Sequence, residues 1–236
     1  MIRTTLRDLR TNMAFLLKII VSPSQRKHAY RWLISLRRNY FPDAQIPWIT
    51  FDAIGYLEEH LFPWAKVFEY GSGGSTLFWL NHGAECVSVE HNLDWYKLMH
   101  HHLKGRDRID YRLVLPEPAD ENKDQDIADP NLYLSRDILF RGFNFRNYVC
   151  QINHFPDNFF DIVLIDGRAR PSCIKHAYKK VRIGGLLVLD NSDREYYLRM
   201  AATLLKDFER RIFLGVSPRA TWFTETSVFV RVVSQS

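Results

Sequence analysis

From residue 67 onward the chain alternates short apolar runs with amphipathic stretches. The runs fall at 67–70, 86–89, 109–115, 162–165, 186–189, 212–216 and 228–233. Segments with apolar residues at helical spacing separate most of them, at about 75–82, 93–103, 144–154, 172–181 and 193–210. Strands alternating with helices predict a parallel sheet covered on both faces. The last two runs are joined only by Ser217-Pro218 and their neighbours, too little for a crossover helix, so they predict an antiparallel hairpin. The expected architecture is α/β: a doubly wound, mostly parallel, seven-stranded sheet ending in an antiparallel hairpin strand.

Ahead of this body the pattern is helical. In 3–21, Leu6, Leu9, Met13, Leu16, Leu17 and Ile20 share one face, with Arg3, Arg7 and Arg10 elsewhere. Ser22-Pro23-Ser24 breaks the pattern, and 25–41 resumes it through Tyr30, Leu33 and Ile34. After Pro47-Trp48-Ile49, Thr50 is the expected N-cap of a helix over 51–62 carrying Ile54, Leu57 and Leu61. The chain therefore divides into a helical N-terminal extension, 1–46, and a body, 47–236. Residues 116–131 fit neither period. With six acidic residues and one Lys they predict a solvated loop, either a lid or a tolerated insertion.

Charge changes this picture in one respect. The net charge of +5 is made of +7 in residues 1–45 and −2 in the remaining 191. The basic character belongs to the arm, so the pI near 9 says little about nucleic acid binding by the body. A basic amphipathic arm can self-associate, lie on an anionic surface or pack on its own body. Composition excludes collagen-like, low-complexity and wholly disordered chains. Three scattered cysteines, Cys86, Cys150 and Cys173, form neither a disulfide framework nor a CxxC pair, which points to a reducing, cytoplasmic setting. No apolar run is long enough to span a bilayer, so membrane contact would be peripheral.

The candidate chemistry gathers at strand ends. Phe68-Glu69-Tyr70-Gly71-Ser72-Gly73-Gly74-Ser75-Thr76 follows a strand and opens a helix, where glycines let the backbone turn and approach a ligand. Glu90 ends the next strand, nineteen residues after Gly71, where a carboxylate can hold a ribose diol. Together they predict a nucleoside-containing cofactor across the ends of the first two strands. A glycine loop alone would also suit NAD or FAD. Here, however, Thr76 stands at the third glycine position, and an acidic residue, Glu69, precedes the first glycine by two. With these features the sequence resembles the class I S-adenosylmethionine-dependent methyltransferases, whose first motif reads acidic-x-Gly-x-Gly. The resemblance covers roughly 47–233 and implies a Rossmann-like fold with S-adenosylmethionine as cofactor. It carries Glu69, Gly71, Gly73 and Glu90 over as cofactor-binding positions, with Ser72, Ser75 and Thr76 beside them.

The second half adds to it. Residues 160–167, FDIVLIDG, look like the family's fourth strand with Asp166 at its end, facing both cofactor and transferred methyl. Residues 183–191, IGGLLVLDN, look like the fifth. Asp190 and Asn191 otherwise read as turn and helix-cap residues. Asp166 with Asp190 and Asn191 resembles the metal-ligand set of catechol-type O-methyltransferases, which implies a divalent cation such as Mg. That subfamily has Lys three residues after the first Asp. This chain has Ala169 there, between Arg168 and Arg170, whose side chains can bind an anion and cannot act as a base. Besides Asp166, His154 is the expected catalytic base, with His91 and His176 as further candidates. His100-His101-His102 sits on a helix and cannot converge on one ion. Tyr133, Phe140, Phe143, Phe145 and Tyr148 either wall a pocket or glue an irregular segment to the core.

The expected activity is methyl transfer from S-adenosylmethionine to a small-molecule acceptor, at oxygen. Two alternatives stand beside it. One is an RNA or protein methyltransferase recruited by the basic arm, though no Asn-Pro-Pro-aromatic motif follows the fourth strand. The other is an NAD-binding Rossmann protein.

Overall fold

Residues 162–165 form an unbroken apolar run because both faces of their strand are covered, and all four are buried. The computed structural model describes residues 6–37, 40–119 and 125–233. Its strands are β1 (Lys66–Tyr70), β2 (Glu85–Glu90), β3 (Ile109–Leu113), β4 (Glu117–Pro118), β5 (Phe143–Asn144), β6 (Phe160–Ile165), β7 (Val181–Asp190), β8 (Phe208–Gly215) and β9 (Thr224–Arg231). Seven make one sheet in the order β3-β2-β1-β6-β7-β9-β8, with β9 antiparallel to both its neighbours. β4 and β5 form a separate two-stranded ribbon. The expected Rossmann-like, mostly parallel sheet with its terminal hairpin is therefore present.

The helices are α1 (Leu6–Val21), α2 (Ala29–Ser35), α3 (Tyr40–Asp43), α4 (Phe51–His60), α5 (Gly74–Asn81), α6 (Leu93–Leu103), α7 (Arg146–Cys150) and α8 (Arg170–Ala177). They bury two cores, one on each sheet face. Phe68 and Tyr70 of β1 face Phe145, Tyr148 and Ile174, while Val67 faces Ile54, Phe78 and Trp79. Alternation along β1 sends Glu69 to the second face, among apolar side chains.

The arm packs on its own body. Phe15, Ile19 and Trp32 are fully buried in the same core as Val67 and Val188, and the Trp32 indole donates to Ala220 O at 2.7 Å. Gln25 ties the arm to β8, its Oε1 accepting from Val216 N–H at 3.0 Å. The expected second helix over 25–41 is broken into a 3₁₀ turn, α2 and α3, with Phe41 in an extended conformation. Among the described residues no helix is long and apolar enough to cross a membrane.

Two local expectations change. Residues 193–210 do not make one helix. They form 3₁₀ turns at 195–197 and 202–205, and β8 already begins at Phe208. Tyr197, Ala201 and Leu205 still turn one face inward at helical spacing, so the burial pattern holds where the hydrogen-bond ladder does not. Thr50 precedes α4 as expected, but its hydroxyl caps nothing, and its N–H instead donates to Thr226 Oγ1 at 3.1 Å. The acidic loop is described only at its ends; 120–124 lie outside the described residues.

Candidate functional site

Strand register levels the candidate residues. Tyr70 is paired with Val89 on one side and Ile165 on the other, and Ile165 with Leu189. One residue further, Gly71, Glu90, Asp166 and Asp190 reach the same carboxyl edge. The strand order reverses between β1 and β6, the position where open α/β sheets seat ligands.

The glycine loop is held from beneath. Gly71 has φ +92° and its backbone lies against Gly167, where a Cβ would stand 3.1 Å from Gly167 Cα. Thr76 Oγ1 accepts from Gly73 N–H at 3.0 Å and donates to Glu69. Glu69 also accepts from Ser88 Oγ at 2.7 Å and Trp79 Nε1 at 3.0 Å. It is completely buried, and burial pushes its carboxyl above the ordinary range against the pull of these donors. Both oxygens are thus spent inside the protein. Direct cofactor contact, expected of Glu69 and Thr76, gives way to a positioning role beneath the loop. Ser72, Gly73, Gly74 and Ser75 do line the cleft, together with Asp166.

Glu90 is held from its own strand end. Its Oε2 accepts from Ser72 N–H (3.1 Å) and Oγ (3.0 Å), and its Oε1 from the N–H groups of His91 and Asn92 (2.8 Å each). Burial opposes its ionisation, but neighbouring His91 and the Asn92 and Ser72 N–H groups outweigh burial and hold the carboxyl below its usual range. Ser72 Oγ also pairs with Tyr111 OH at 2.8 Å, and Trp95 Nε1 donates to Ser72 O at 2.8 Å. Phe41, Trp48 and Trp95 complete the cleft wall, with Phe41 and Trp95 ring centroids 5.1 Å apart. No sequence pattern marks Phe41, Trp48 or Tyr111, which come from the arm, the segment before α4 and β3. Trp95 was within reach, since it lies in the first turn of a helix capped by Asn92, whose Oδ1 takes the Trp95 N–H at 2.9 Å.

At the ends of β6 and β7 stands Arg170. Its Nη2 donates to Asp166 Oδ1 and Asp166 O (2.9 Å each), Nε donates to Gly167 O (3.0 Å), and Nη1 donates to Asp190 O. Nη1 is also 3.8 Å from Asp190 Oδ2. Its side chain is 7% exposed. One guanidinium faces two carboxyls, so the second keeps its proton: burial and then the Asp166 charge push Asp190 up to about 8. Burial also raises Asp166, against the Arg170 charge. A hard dication needs ionised, available oxygen ligands. Asp166 Oδ1 is instead taken by the buried Arg170 guanidinium and Asp190 Oδ1 by the Thr226 hydroxyl at 3.1 Å, so the oxygens are engaged within the protein and do not fit the divalent ion that the resemblance implied. Asn191, the third implied ligand, has φ +50° and no helix follows it. Ser192 next to it bonds Glu225 and Ser227 at 2.7 Å each.

The other expectations divide. His154 is exposed and ends a 3₁₀ turn that leads into the amino end of β6, so the strand's length separates it from Asp166. A catalytic role for His154 is therefore withdrawn. His176 bonds Asn153 and Tyr133 at the far end of α8. His91 does lie at the site, its Nδ1 3.0 Å from Glu90 Oε1 and its ring packed near Phe140, Phe145 and Tyr148. Of those aromatics, Phe145 and Tyr148 are core residues. The Tyr148 hydroxyl is buried, has no hydrogen-bond partner among the described residues and abuts Gly167. Beyond Gly167 a cavity of about 360 Å³ opens between residues 134–137, the start of α8 and residues 194–197.

No protein-family model and no curated protein matches the sequence. Solved structures do match the fold. The O-methyltransferase TomG of Streptomyces achromogenes, involved in tomaymycin synthesis and solved with SAM, aligns with a TM-score of 0.55 at 13% identity, over 97% of this chain and 100% of its own. An O-methyltransferase from Bacillus cereus in complex with SAH gives 0.54 at 15% identity, over 92% and 90%. A putative O-methyltransferase from Klebsiella pneumoniae gives 0.52 at 12%, over 93% and 90%. At such identities the likeness is one of fold, shared with these O-methyltransferases.

Proposed function

We infer that the protein is an S-adenosylmethionine-dependent methyltransferase acting at an oxygen of a small molecule, without a divalent cation. The observation that carries this reading is the level arrangement of Gly71, Glu90 and Asp166 around the switch point of the sheet. The fold neighbours, O-methyltransferases solved with SAM or SAH, support it. The residues fit such a cofactor. The loop from Gly71 to Ser75 lines the cleft, and at Gly73 open space lies where a Cβ would stand, so a ligand can come against the backbone there. S-adenosylmethionine would supply a methyl group already activated on a sulfonium.

What remains for the chain is to bind, orient and manage a proton. Glu90, kept ionised, would take the ribose hydroxyls by exchanging for them the bonds its Oε2 now accepts from Ser72 N–H and Oγ. The loop 71–75 would bring its backbone against the cofactor. Phe41, Trp48 and Trp95 would exclude water. Asp166, the less buried of the two carboxyls, would hold the acceptor hydroxyl and take its proton, while Arg170 fixes its orientation. The protonated Asp190 keeps the Arg170 charge from being overmatched. Self-association of the arm would use the half-exposed stripe Leu9, Met13 and Leu17 of α1, and contact with an anionic surface its exposed Arg10 and Lys18. The three unbridged cysteines support a reducing, cytoplasmic location.

Calorimetric titration with SAH tests this reading. At a hundredfold excess over Kd a native-state ligand adds about 2.7 kcal/mol, or roughly 5–10 °C in Tm for a chain of this size. Glu90→Gln is expected to weaken SAH at least tenfold. No SAH binding, or a response to NAD instead, refutes the proposal.

A further inference from the structure

The cavity beside Asp166 is lined by four arginines, Arg136, Arg168, Arg170 and Arg194, with Tyr196 and Tyr197. Two of these charges are spent. Arg170 is held by Asp166, and Arg168 pairs with Asp137 at 2.9 Å. The other two, Arg136 and Arg194, have no ion-pair partner among the described residues. They are anchored by aromatic contacts: Arg136 lies over the Tyr196 ring at 5.6 Å, and Arg194 lies over Tyr197 at 5.8 Å while donating to the Tyr197 hydroxyl at 2.9 Å. Stacking fixes the plane of a guanidinium and leaves its edge free for a planar oxyanion. Arg168 Nε–H is also buried without an acceptor on the same wall. Like charges turned toward one cavity repel unless an anion joins them, and their combined field would draw one in. The volume, about 360 Å³, lies within the range of small-ligand pockets, about 300–1,000 Å³. Gly167 lines this cavity, while Asp166, the preceding residue, lines the cofactor cleft. The two spaces therefore meet at the proposed base.

We propose that the methyl acceptor is a small organic anion, its carboxylate or phosphate held by Arg136 and Arg194 while its hydroxyl is presented at Asp166. This assignment rests on the methyl-transfer reading and deepens it. It also gives the arginines around the cavity a division of labour: Arg170 fixes the base, and Arg136 and Arg194 select the acceptor by charge.

The test uses the full chain saturated with SAH and three ring-bearing probes of similar shape: 4-hydroxybenzoate, 4-hydroxyphenyl phosphate and the neutral 4-hydroxybenzamide. At least one anion is expected to bind about tenfold to a hundredfold tighter than the amide, the range for charge-assisted hydrogen bonds, and to weaken as salt is raised. Which anion prevails separates a carboxylate from a phosphate acceptor. Arg136→Gln/Arg194→Gln should remove the preference, and rescue by Arg136→Lys/Arg194→Lys should be incomplete because Lys lacks the planar fork. Equal affinity for anion and amide, no anion binding at millimolar concentration, or indifference to the double variant overturns the proposal. SAH titrated alone reports separately. If SAH fails to bind while the anions still bind through the two arginines, the methyl-transfer reading fails and the anion site stands.

Discussion

Replacing Arg170 with Met removes the guanidinium while keeping most of the apolar stem. Four hydrogen bonds disappear, those to Asp166 Oδ1, Asp166 O, Gly167 O and Asp190 O, and Asp166 loses its counter-charge. Removing one partner of a buried pair typically costs about 3–5 kcal/mol, most of it the uncompensated charge left behind. That origin makes the cost depend on pH with a definite sign. In the parent, Asp190 is raised to about 8, so the native state binds more protons than the unfolded chain between about pH 4 and 8, and stability falls as pH rises through that window. In the variant Asp166 joins Asp190, because its ionised form has lost the Arg170 attraction that opposed its burial. The Arg170→Met penalty is therefore largest near pH 8 and shrinks near pH 5, by at most about 4 kcal/mol over three pH units at about 1.4 kcal/mol each. Urea unfolding of parent and variant at both pH values measures it. A penalty below about 1 kcal/mol at pH 8, or one equal at both pH values, refutes the assignment of Arg170 as the counter-charge. The same pair of proteins tests the metal argument. Mg should leave the parent's Tm unchanged and raise that of Arg170→Met, where both carboxyls become available.

Other outcomes follow from the same geometry. Asp190→Asn should flatten the parent's stability profile between about pH 4 and 8, because the group responsible for the decline is gone; an unchanged slope in urea titrations would contradict this. Thr76→Val deprives buried Glu69 of one donor and frees the Gly73 N–H, which should cost about 1–3 kcal/mol and loosen SAH binding together, read by unfolding and calorimetry. Gly71→Ala forces a Cβ at φ +92° to within 3.1 Å of Gly167 and should cost about 1–3 kcal/mol, with a larger proportional loss in SAH affinity than in stability. His154→Ala should leave turnover of any identified acceptor unchanged, and a large drop in kcat would return that residue to the mechanism.

The sheet was legible because its signals are local and redundant. Continuous apolar runs, a helix-bearing spacing between them and a missing crossover before β9 each point to the same topology. Gly71 and Glu90 were legible because a turn with positive φ and a carboxylate at a strand end are backbone-level requirements. Side-chain partnerships were not. Glu69 reads as a ligand-facing acid from its spacing alone, yet alternation along β1 turns it toward Trp79 and Ser88, positions whose convergence depends on helix packing. Asp166 and Asp190 read as a cation site because a sequence cannot show that Arg170, four residues on, folds back between them. The segment 193–210 carries a helical stripe that the structure buries without completing the helix. Periodicity reports which face is inward, and local hydrogen bonding is decided by how the segment must reach β8.

The arm's last turn has a thermodynamic consequence. The Ile46 carbonyl lies so close over Gly74 that no Cβ could stand there, and Phe41 and Trp48 share the cleft with the glycine loop. Seating of the arm and occupation of the cleft then draw on the same contacts, and coupling of this kind is reciprocal. Whatever a bound nucleoside adds to the protection of 40–48 against hydrogen exchange, an ordered arm must return as affinity. Removing 1–46 would therefore weaken the binding site while leaving every loop glycine in place.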